Sequence, residues 1–317
     1  MTMMRADLHV HTLHSTRSGN MRFLRSRDCY SRPIDVYRTA RSRGMDLVAI
    51  TDHDSIDGAL ELAGSIENPD EVIIGEEVSC WYRDIQVHLG VYSMTEALHR
   101  DIQPLRRNAF DVIACLRSAG VFFSLNHLLH FYRGQTPLAD YLRLLDEVPA
   151  LECRNGAMLP AHNLLIEAIV ARRTAGNETP LAAIGGSDAH TLRRVGRTWT
   201  EAPARNREQF LDSLKRGLGR PGGDHGTAST CAGDAYGVIR SYLGSLMGLG
   251  PRDHAGWLRA GCLAFSSISL PFQFLPLAIA MAGKRAEADT VRRVTAELNA
   301  VGADASRRPV QIGGVPW

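Results

Sequence analysis

The chain has 317 residues, 44% hydrophobic and 22% charged, with a net charge of +2. That is ordinary globular composition. It excludes a disordered or fibrous chain and allows one large α/β core with an appendage, or two domains. So small a net charge gives no argument for nucleic acid. Arg17, Arg22, Arg25, Arg27 and Arg32 do cluster near the N-terminus, as a phosphate-binding loop or a merely solvated one would.

Six cysteines (Cys29, Cys80, Cys115, Cys153, Cys231 and Cys262) are scattered without C-x-x-C spacing. This excludes a zinc-finger or disulfide framework and reads as small buried hydrophobes in a reducing compartment. The first seven residues carry no apolar leader, so the expected location is cytoplasmic.

Residues 6–10 read as a first strand, followed by an Arg-rich loop to Arg32. Pro33 opens a helix that Gly44 ends. Residues 46–50 form a buried-looking strand running into Thr51-Asp52-His53-Asp54, and residues 55–65 a helix. A short strand at 72–74 leads to Gly75-Glu76-Glu77, and the alternating stretch 85–91 carries His88. One long helix is expected over 96–119, closed by Gly120. A strand at 121–125 ends in Asn126-His127. A helix over 136–147, a strand at 150–153 and a helix over 161–175 closed by Gly176 follow. A strand at 181–184 ends in Gly-Gly-Ser-Asp-Ala-His, residues 185–190. A short strand at 198–201 and a helix at 207–216 complete the series.

Strand–helix repeats of this length give parallel strands joined by right-handed crossovers. Residues 226–317 break the alternation. A helix is expected at 235–249 and another at 292–300, before a Pro/Gly-rich tail. The apolar run 261–283 touches transmembrane length, but Pro271, Gln273 and Pro276 favour two buried or interface helices broken at proline.

His9 and His11 lie two apart on the first strand and so share a face. Alone, such a pair reads as two surface histidines. The chemically loaded residues, however, gather at strand ends, which in a closed α/β barrel meet on one face. His9, His11, His53, Glu77, His88, His127, Asp188 and His190 are expected to converge there. Nitrogen and oxygen donors without thiolate favour Mn, Fe or Zn in a multinuclear site.

The ordered series D-L-H-V-H-T, I-T-D-H-D, G-E-E-V, V-H-L-G-V-Y, L-N-H and G-S-D-A-H resembles the PHP (polymerase and histidinol phosphatase) family over residues 5–220. The resemblance implies a distorted (β/α)7 barrel over residues 1–225, a C-terminal helical extension over 226–317, and hydrolysis of phosphate esters with two or three divalent metal ions. By that resemblance His9, His11, Glu77 and Asp188 hold a first metal. Glu77 bridges to a second, completed by His88 and His127. His53 and His190 serve a third. The third residue of G-x-E selects Glu77 over Glu76.

Many members place an acid or a histidine where this chain has Thr16 and Arg17. Neither is a good ligand. A binuclear core with a weakly held third ion is therefore expected, unless His14 or Asp28 substitutes or Arg17 binds phosphate in the ion's place. The expected mechanism uses a metal-bridging hydroxide, with Asp188 orienting it or accepting its proton and His53 or His190 aiding the leaving group. Arg17, Arg194 and Arg197 are candidate phosphate contacts. Asp7 and Asp52 are expected to support ligand imidazoles.

The favoured function is a small-molecule phosphatase or phosphodiesterase. A nuclease acting on short oligonucleotides, a non-catalytic metal-binding regulatory module and an amidohydrolase-type barrel are the alternatives. The last lacks its strand-end lysine here. The expected partner is a small phosphorylated substrate, with a homo-oligomer through the C-terminal helices as a further option and no clear protein partner.

Overall fold

The computed structural model describes residues 2–15, 26–175, 181–251, 256–268 and 274–303. Thr16, Arg17, Gly176, His254 and Pro271 lie outside the described residues.

Strand β1 (Met3–Val10) is buried from Ala6 onward. Helix α1 (Pro33–Ser42) has Pro33 in its first turn, and Gly44 follows it at φ +80°. Strand β2 (Leu47–Ile50) and helix α2 (Asp57–Ser65) come next. Val36 and Ala40 of α1, and Ala59 and Leu62 of α2, pack with Val10, Val48 and Ile50.

Strand β3 (Val72–Tyr82) is longer than the sequence suggests, so Glu77 sits inside a strand rather than past its end. It continues because it forms an antiparallel hairpin with β4 (Ile85–Tyr92), pairing from Gly75–Tyr92 to Tyr82–Ile85. The expected long helix is two helices, α3 (Glu96–Ile102) and α4 (Ala109–Ser118). Pro104 sits in the 3-10 turn between them, and the Asn108 side chain caps α4 by accepting the Phe110 N–H.

Strand β5 (Phe122–Leu125) is followed by the short α5 (Leu138–Tyr141), which runs into a 3-10 turn where a full helix was expected. Then come β6 (Ala150–Asn155), α6 (Pro160–Ala175), β7 (Ala182–Gly186), β8 (Thr198–Pro203), α7 (Arg207–Lys215) and β9 (Arg220–Gly223).

Among the described residues the sheet has nine strands in the order β7-β6-β5-β4-β3-β2-β1-β8-β9, not seven. The pairs β1/β2, β2/β3, β5/β6 and β6/β7 are parallel. The pairs β3/β4, β4/β5, β1/β8 and β8/β9 are antiparallel, which departs from an all-parallel barrel. Two segments share the free edge of β1. Its first half pairs with β8, while its end meets the chain after β7, where the Asp188 N–H donates to the His9 carbonyl (2.8 Å) and the His11 N–H to the Ala189 carbonyl (3.1 Å). The result is a nearly closed, barrel-like sheet.

Three helices follow: α8 (Ala228–Leu246), α9 (Gly256–Ile268) and α10 (Leu275–Ala303). Val291 and Val294 of α10 are buried in the largest apolar core, with residues of β3 to β6 and α6. The apolar run thus divides into two helices, but much of it is not buried: Phe265, Phe274, Leu275 and Ile279 are exposed. Among the described residues no helix is long and apolar enough to cross a membrane.

Candidate metal centre

The mouth of the barrel brings His9, His11, His53, Glu77, His88, His127, Asp188 and His190 together. Glu77 lies at the middle. Its Oε1 is 3.1 Å from His9 Nε2, 3.2 Å from His88 Nδ1 and 3.0 Å from His127 Nε2. Its Oε2 is 3.0 Å from His53 Nδ1 and 3.5 Å from His11 Nε2. Asp188 Oδ1 lies 3.4 Å from His11 Nε2, 3.6 Å from His9 Nε2 and 3.7 Å from His190 Nδ1. Glu76, next along the strand, faces the other way and accepts from His99 Nδ1 at 2.8 Å, as alternation on β3 requires.

The outer faces of these imidazoles are held by groups whose chemistry fixes the tautomer. His9 Nδ1 is 2.8 Å from Glu152 Oε1, so that nitrogen keeps a proton and Nε2 is the atom left to serve as ligand when the ring is neutral. Ser15 Oγ donates to Asp52 Oδ1 (3.1 Å) and accepts the His53 N–H (3.1 Å), and it lies 3.1 Å from His11 Nδ1. A hydroxyl has one proton to give, so His11 Nδ1–H donates to it and His11 Nε2 is also left bare. Asn126 Nδ2 donates to Glu77 Oε1 (3.1 Å). Asn155 Nδ2 donates to Glu152 Oε2 (2.8 Å) and Asp188 Oδ2 (3.1 Å). His127 and Asp188 hold positive φ values of +26° and +51°, strain of the kind that functional sites carry.

Buried polar atoms are normally satisfied. Here Nε2 of His9, Nε2 of His11, Nδ1 of His53, Nδ1 of His88 and Oε2 of Glu77 are buried without a hydrogen-bond partner among the described residues. They face one small volume. Four overlapping groups have ligand atoms all within 4.8 Å of one another: His11, His53 and His190; His9, His11 and Glu77; His9, His127 and Asp188; His53, Glu77 and His88. Converging bare nitrogen and carboxylate donors are what divalent cations take, so the residues present fit such ions.

The electrostatics agree. Burial opposes charge on His9, but the carboxylates of Glu77, Glu152 and Asp188 hold its imidazole well above the ordinary histidine value. Burial also opposes ionisation of Glu77 and Asp188; the surrounding imidazoles prevail and hold both carboxyls well below the usual range. His53 goes the other way. Burial, helped by the like charges of His11, His88 and His190, outweighs Glu77 and keeps it well below the ordinary value. Protons therefore cannot satisfy every imidazole at once.

Two supporting residues act differently from expectation. Asp7 touches no imidazole. Its carboxylate accepts the backbone N–H groups of His9 (3.3 Å), Ser187 (2.9 Å) and Gly196 (2.7 Å), tying β1 to the chain after β7. Burial pushes its carboxyl up to about 6, against the pull of those donors. Asp52 reaches His11 only through Ser15, and also binds Thr12.

All of the cluster but His9 and His11 lines a cavity of about 890 Å³. Arg194 and Arg197 are not among its lining residues. Arg194 is buried, donating to the Gly156 carbonyl, with Nε 3.8 Å from Asp234; Arg197 is exposed. The lining cations are Arg27, from the N-terminal arginine cluster, and Arg133 and Lys284, which the sequence did not single out. Asp28 also lines it, with Oδ2 3.8 Å from His53 Nε2. His130 lines it as well, whereas His14 pairs with Glu61 and His225 with Asn163.

The family model described as PHP-associated matches residues 170–218. An uncharacterized protein of Methanocaldococcus jannaschii is 38% identical over 76 residues, which are 24% of this chain and 44% of that protein. This chain's match thus spans under half of that relative. Among solved structures, a two-domain protein from Bacteroides vulgatus containing a predicted PHP-like metal-dependent phosphoesterase aligns with a TM-score of 0.51 at 15% identity, over 76% of this chain and 69% of that one. PsfC from Pseudomonas syringae aligns with a TM-score of 0.50 at 19% identity, over 77% and 98%. At such identities the likeness is one of fold. Residues 170–218 are thus similar to the PHP-associated family model, and the chain shares its fold with these two solved structures.

Proposed function

We propose that this protein is a metal-dependent hydrolase of phosphate esters acting on a small phosphorylated molecule. The observation that carries the reading is the set of five buried donor atoms, on His9, His11, His53, Glu77 and His88, that converge without hydrogen-bond partners among the described residues. His9, His11, Glu77 and Asp188 would hold one ion, and Glu77, His88 and His127 a second. His53, His190 and Asp28 would hold a third, with Asp28 supplying the carboxylate that Thr16 and Arg17 do not. Mn, Fe or Zn suits this donor set.

Divalent ions bound here would supply an activated water and neutralise the phosphoryl oxygens. Hydrolysis forms a bond from the water oxygen to phosphorus and breaks the bond from phosphorus to the alcohol oxygen, which takes up the proton. Asp188, its Oδ2 held by Asn155, orients the water or accepts its proton. His190 donates its Nδ1–H to the Asp188 carbonyl (3.2 Å), and with His53 it flanks the open side of the cavity, where a leaving group departs. Arg27, Arg133 and Lys284 are placed to meet the phosphoryl group or the rest of the substrate.

The test is metal analysis of the purified protein, then turnover of a phosphomonoester, a phosphodiester and a short single-stranded oligonucleotide with manganese. Turnover of an ester, lost on chelation and lost in His9→Ala by more than the roughly 10–100-fold that an outer hydrogen-bond partner costs, is expected. Absence of turnover on all three, or activity indifferent to chelation, overturns the reading and leaves a binding module.

A further inference from the structure

The barrel does not build the cavity alone. One whole wall comes from the C-terminal helices: Ala235, Val238 and Ile239 of α8, with Ala280, Gly283 and Lys284 of α10. This wall is fixed to the mouth rather than laid loosely over it. Thr191 Oγ1 donates to Asp234 Oδ1 on α8 at 2.8 Å. Lys284 donates to the Ala157 carbonyl and, at 2.6 Å, to Glu287 Oε2, while Glu287 Oε1 accepts the Leu159 N–H at 2.7 Å. Gly237 lets α8 lie flush, since a Cβ there would stand 2.9 Å from Thr191 Cγ2. Farther along α10, Val291 and Val294 are buried in the main core.

The wall presents Ala235, Val238, Ile239, Ala280 and Gly283 to the cavity beside three charged residues, Asp234, Lys284 and Glu287, and its apolar part faces an apolar patch of the barrel side. Leu129 and Phe131 line the cavity there, and the Phe131 ring stands edge-on to His88 with centroids 5.0 Å apart. A phosphoryl group held at the histidine cluster would leave most of the 890 Å³ unfilled. Ligand sites run to roughly 300–1,000 Å³, largely apolar with a few placed polar groups, so this one has room for a sizeable organic body. Among the described lining residues only three are Lys or Arg, namely Arg27, Arg133 and Lys284, too few for the continuous basic track that a nucleic-acid strand follows.

Building on the phosphoesterase reading, we propose that the cavity takes a phosphate ester of an alcohol with an aromatic or branched apolar body, seated between Phe131 and the Val238–Ile239 face of α8. The C-terminal helices then act as the specificity wall of the site. Val238 and Ile239 are positioned to contact the substrate's body and not its phosphoryl group.

The test uses two esters with similar leaving groups, 2-phenylethyl phosphate and ethyl phosphate, on the manganese-loaded full chain. Burying a ring of that size predicts a kcat/KM ratio of about tenfold or more in favour of the phenylethyl ester. Ile239→Asp, at an exposed position, and the near-isosteric Val238→Thr should each pull the ratio toward one. Arg240→Ala, exposed and outside the lining, should leave it unchanged. Calorimetry with 2-phenylethylphosphonate and ethylphosphonate reads the same preference without turnover.

If neither ester is hydrolysed yet the phenylethylphosphonate binds preferentially, the phosphoesterase reading fails and the apolar pocket stands. If both esters are hydrolysed with a ratio near one, or if the wall variants leave the ratio untouched, the inference fails and the phosphoesterase reading stands. An oligonucleotide cleaved in preference to both esters also overturns it.

Discussion

His9 Nδ1 lies 2.8 Å from Glu152 Oε1, and the other oxygen of that carboxylate accepts the His127 N–H (3.0 Å) and Asn155 Nδ2 (2.8 Å). Glu152 thus orients one imidazole, fixes the backbone of another and steadies the asparagine that holds Asp188. Both its oxygens accept, so Glu152→Gln sets an amide N–H against a donor on one side or the other. The expected outcome is metal affinity weaker by about 10–100-fold, read by titration against a competing chelator, with the fold retained. Unchanged affinity would assign Glu152 to packing alone.

Asp28 is the carboxylate of the proposed third site. With His53 and His190 it would hold an ion that the core ligands do not need. Asp28→Asn should therefore lower the metal content by about one ion per chain, by elemental analysis after dialysis, while the ions at Glu77 stay. His190→Ala should remove the same ion. A stoichiometry unmoved by either change would return the site to the binuclear core that Thr16 and Arg17 suggest.

Much of this was legible in the chain because strand-end histidines recur too often for packing to explain, since burying a neutral imidazole costs desolvation. Glu152 escaped notice because one glutamate in Leu-Glu-Cys-Arg looks like an ordinary outward residue. The available signal was an acid inside an otherwise apolar strand, which needs a partner once buried. Asn126 and Asn155 carry no such signal, because amides resemble turn residues in a sequence. Arg194 and Arg197 drew attention by lying near the Asp-x-His motif. Proximity in sequence does not say which cations face the mouth, and Lys284 arrives from nearly a hundred residues later. The helix over 96–119 was overextended across Pro104, and β3 underextended, because a hairpin partner rather than local pattern sets its length.

The charge balance predicts proton release on metal binding. In the metal-free protein, burial works against charge on His9, His127 and His190, but neighbouring carboxylates raise all three above the ordinary histidine value. A cation needs the neutral imidazole. From the ordinary histidine value upward to the raised ones, binding must expel protons, and affinity should rise with pH by about tenfold per unit for each proton released. Calorimetry at pH 7 in two buffers of different ionisation heat should show at least about one proton released per chain. Heats independent of buffer would contradict the carboxylate-dominated cluster.

Gly186 ends β7 where the barrel closes onto β1. A Cβ there would stand 2.4 Å from His9 Cβ and 2.6 Å from His9 N, and neither can swing away as the end of a flexible side chain could. Gly186→Ala must therefore part the two strands at the residue that carries the first proposed ligand. The expected cost is about 1–3 kcal/mol in denaturant unfolding, together with weaker metal binding, because His9 leaves Glu152 when it moves. Gly64 of α2 is the fitting contrast. A Cβ meets nothing within 4 Å there, so Gly64→Ala should be neutral or stabilising by up to about 1 kcal/mol. If Gly186→Ala matched Gly64→Ala in both stability and metal affinity, the close approach of β7 to His9 could not be what sets the geometry of the site.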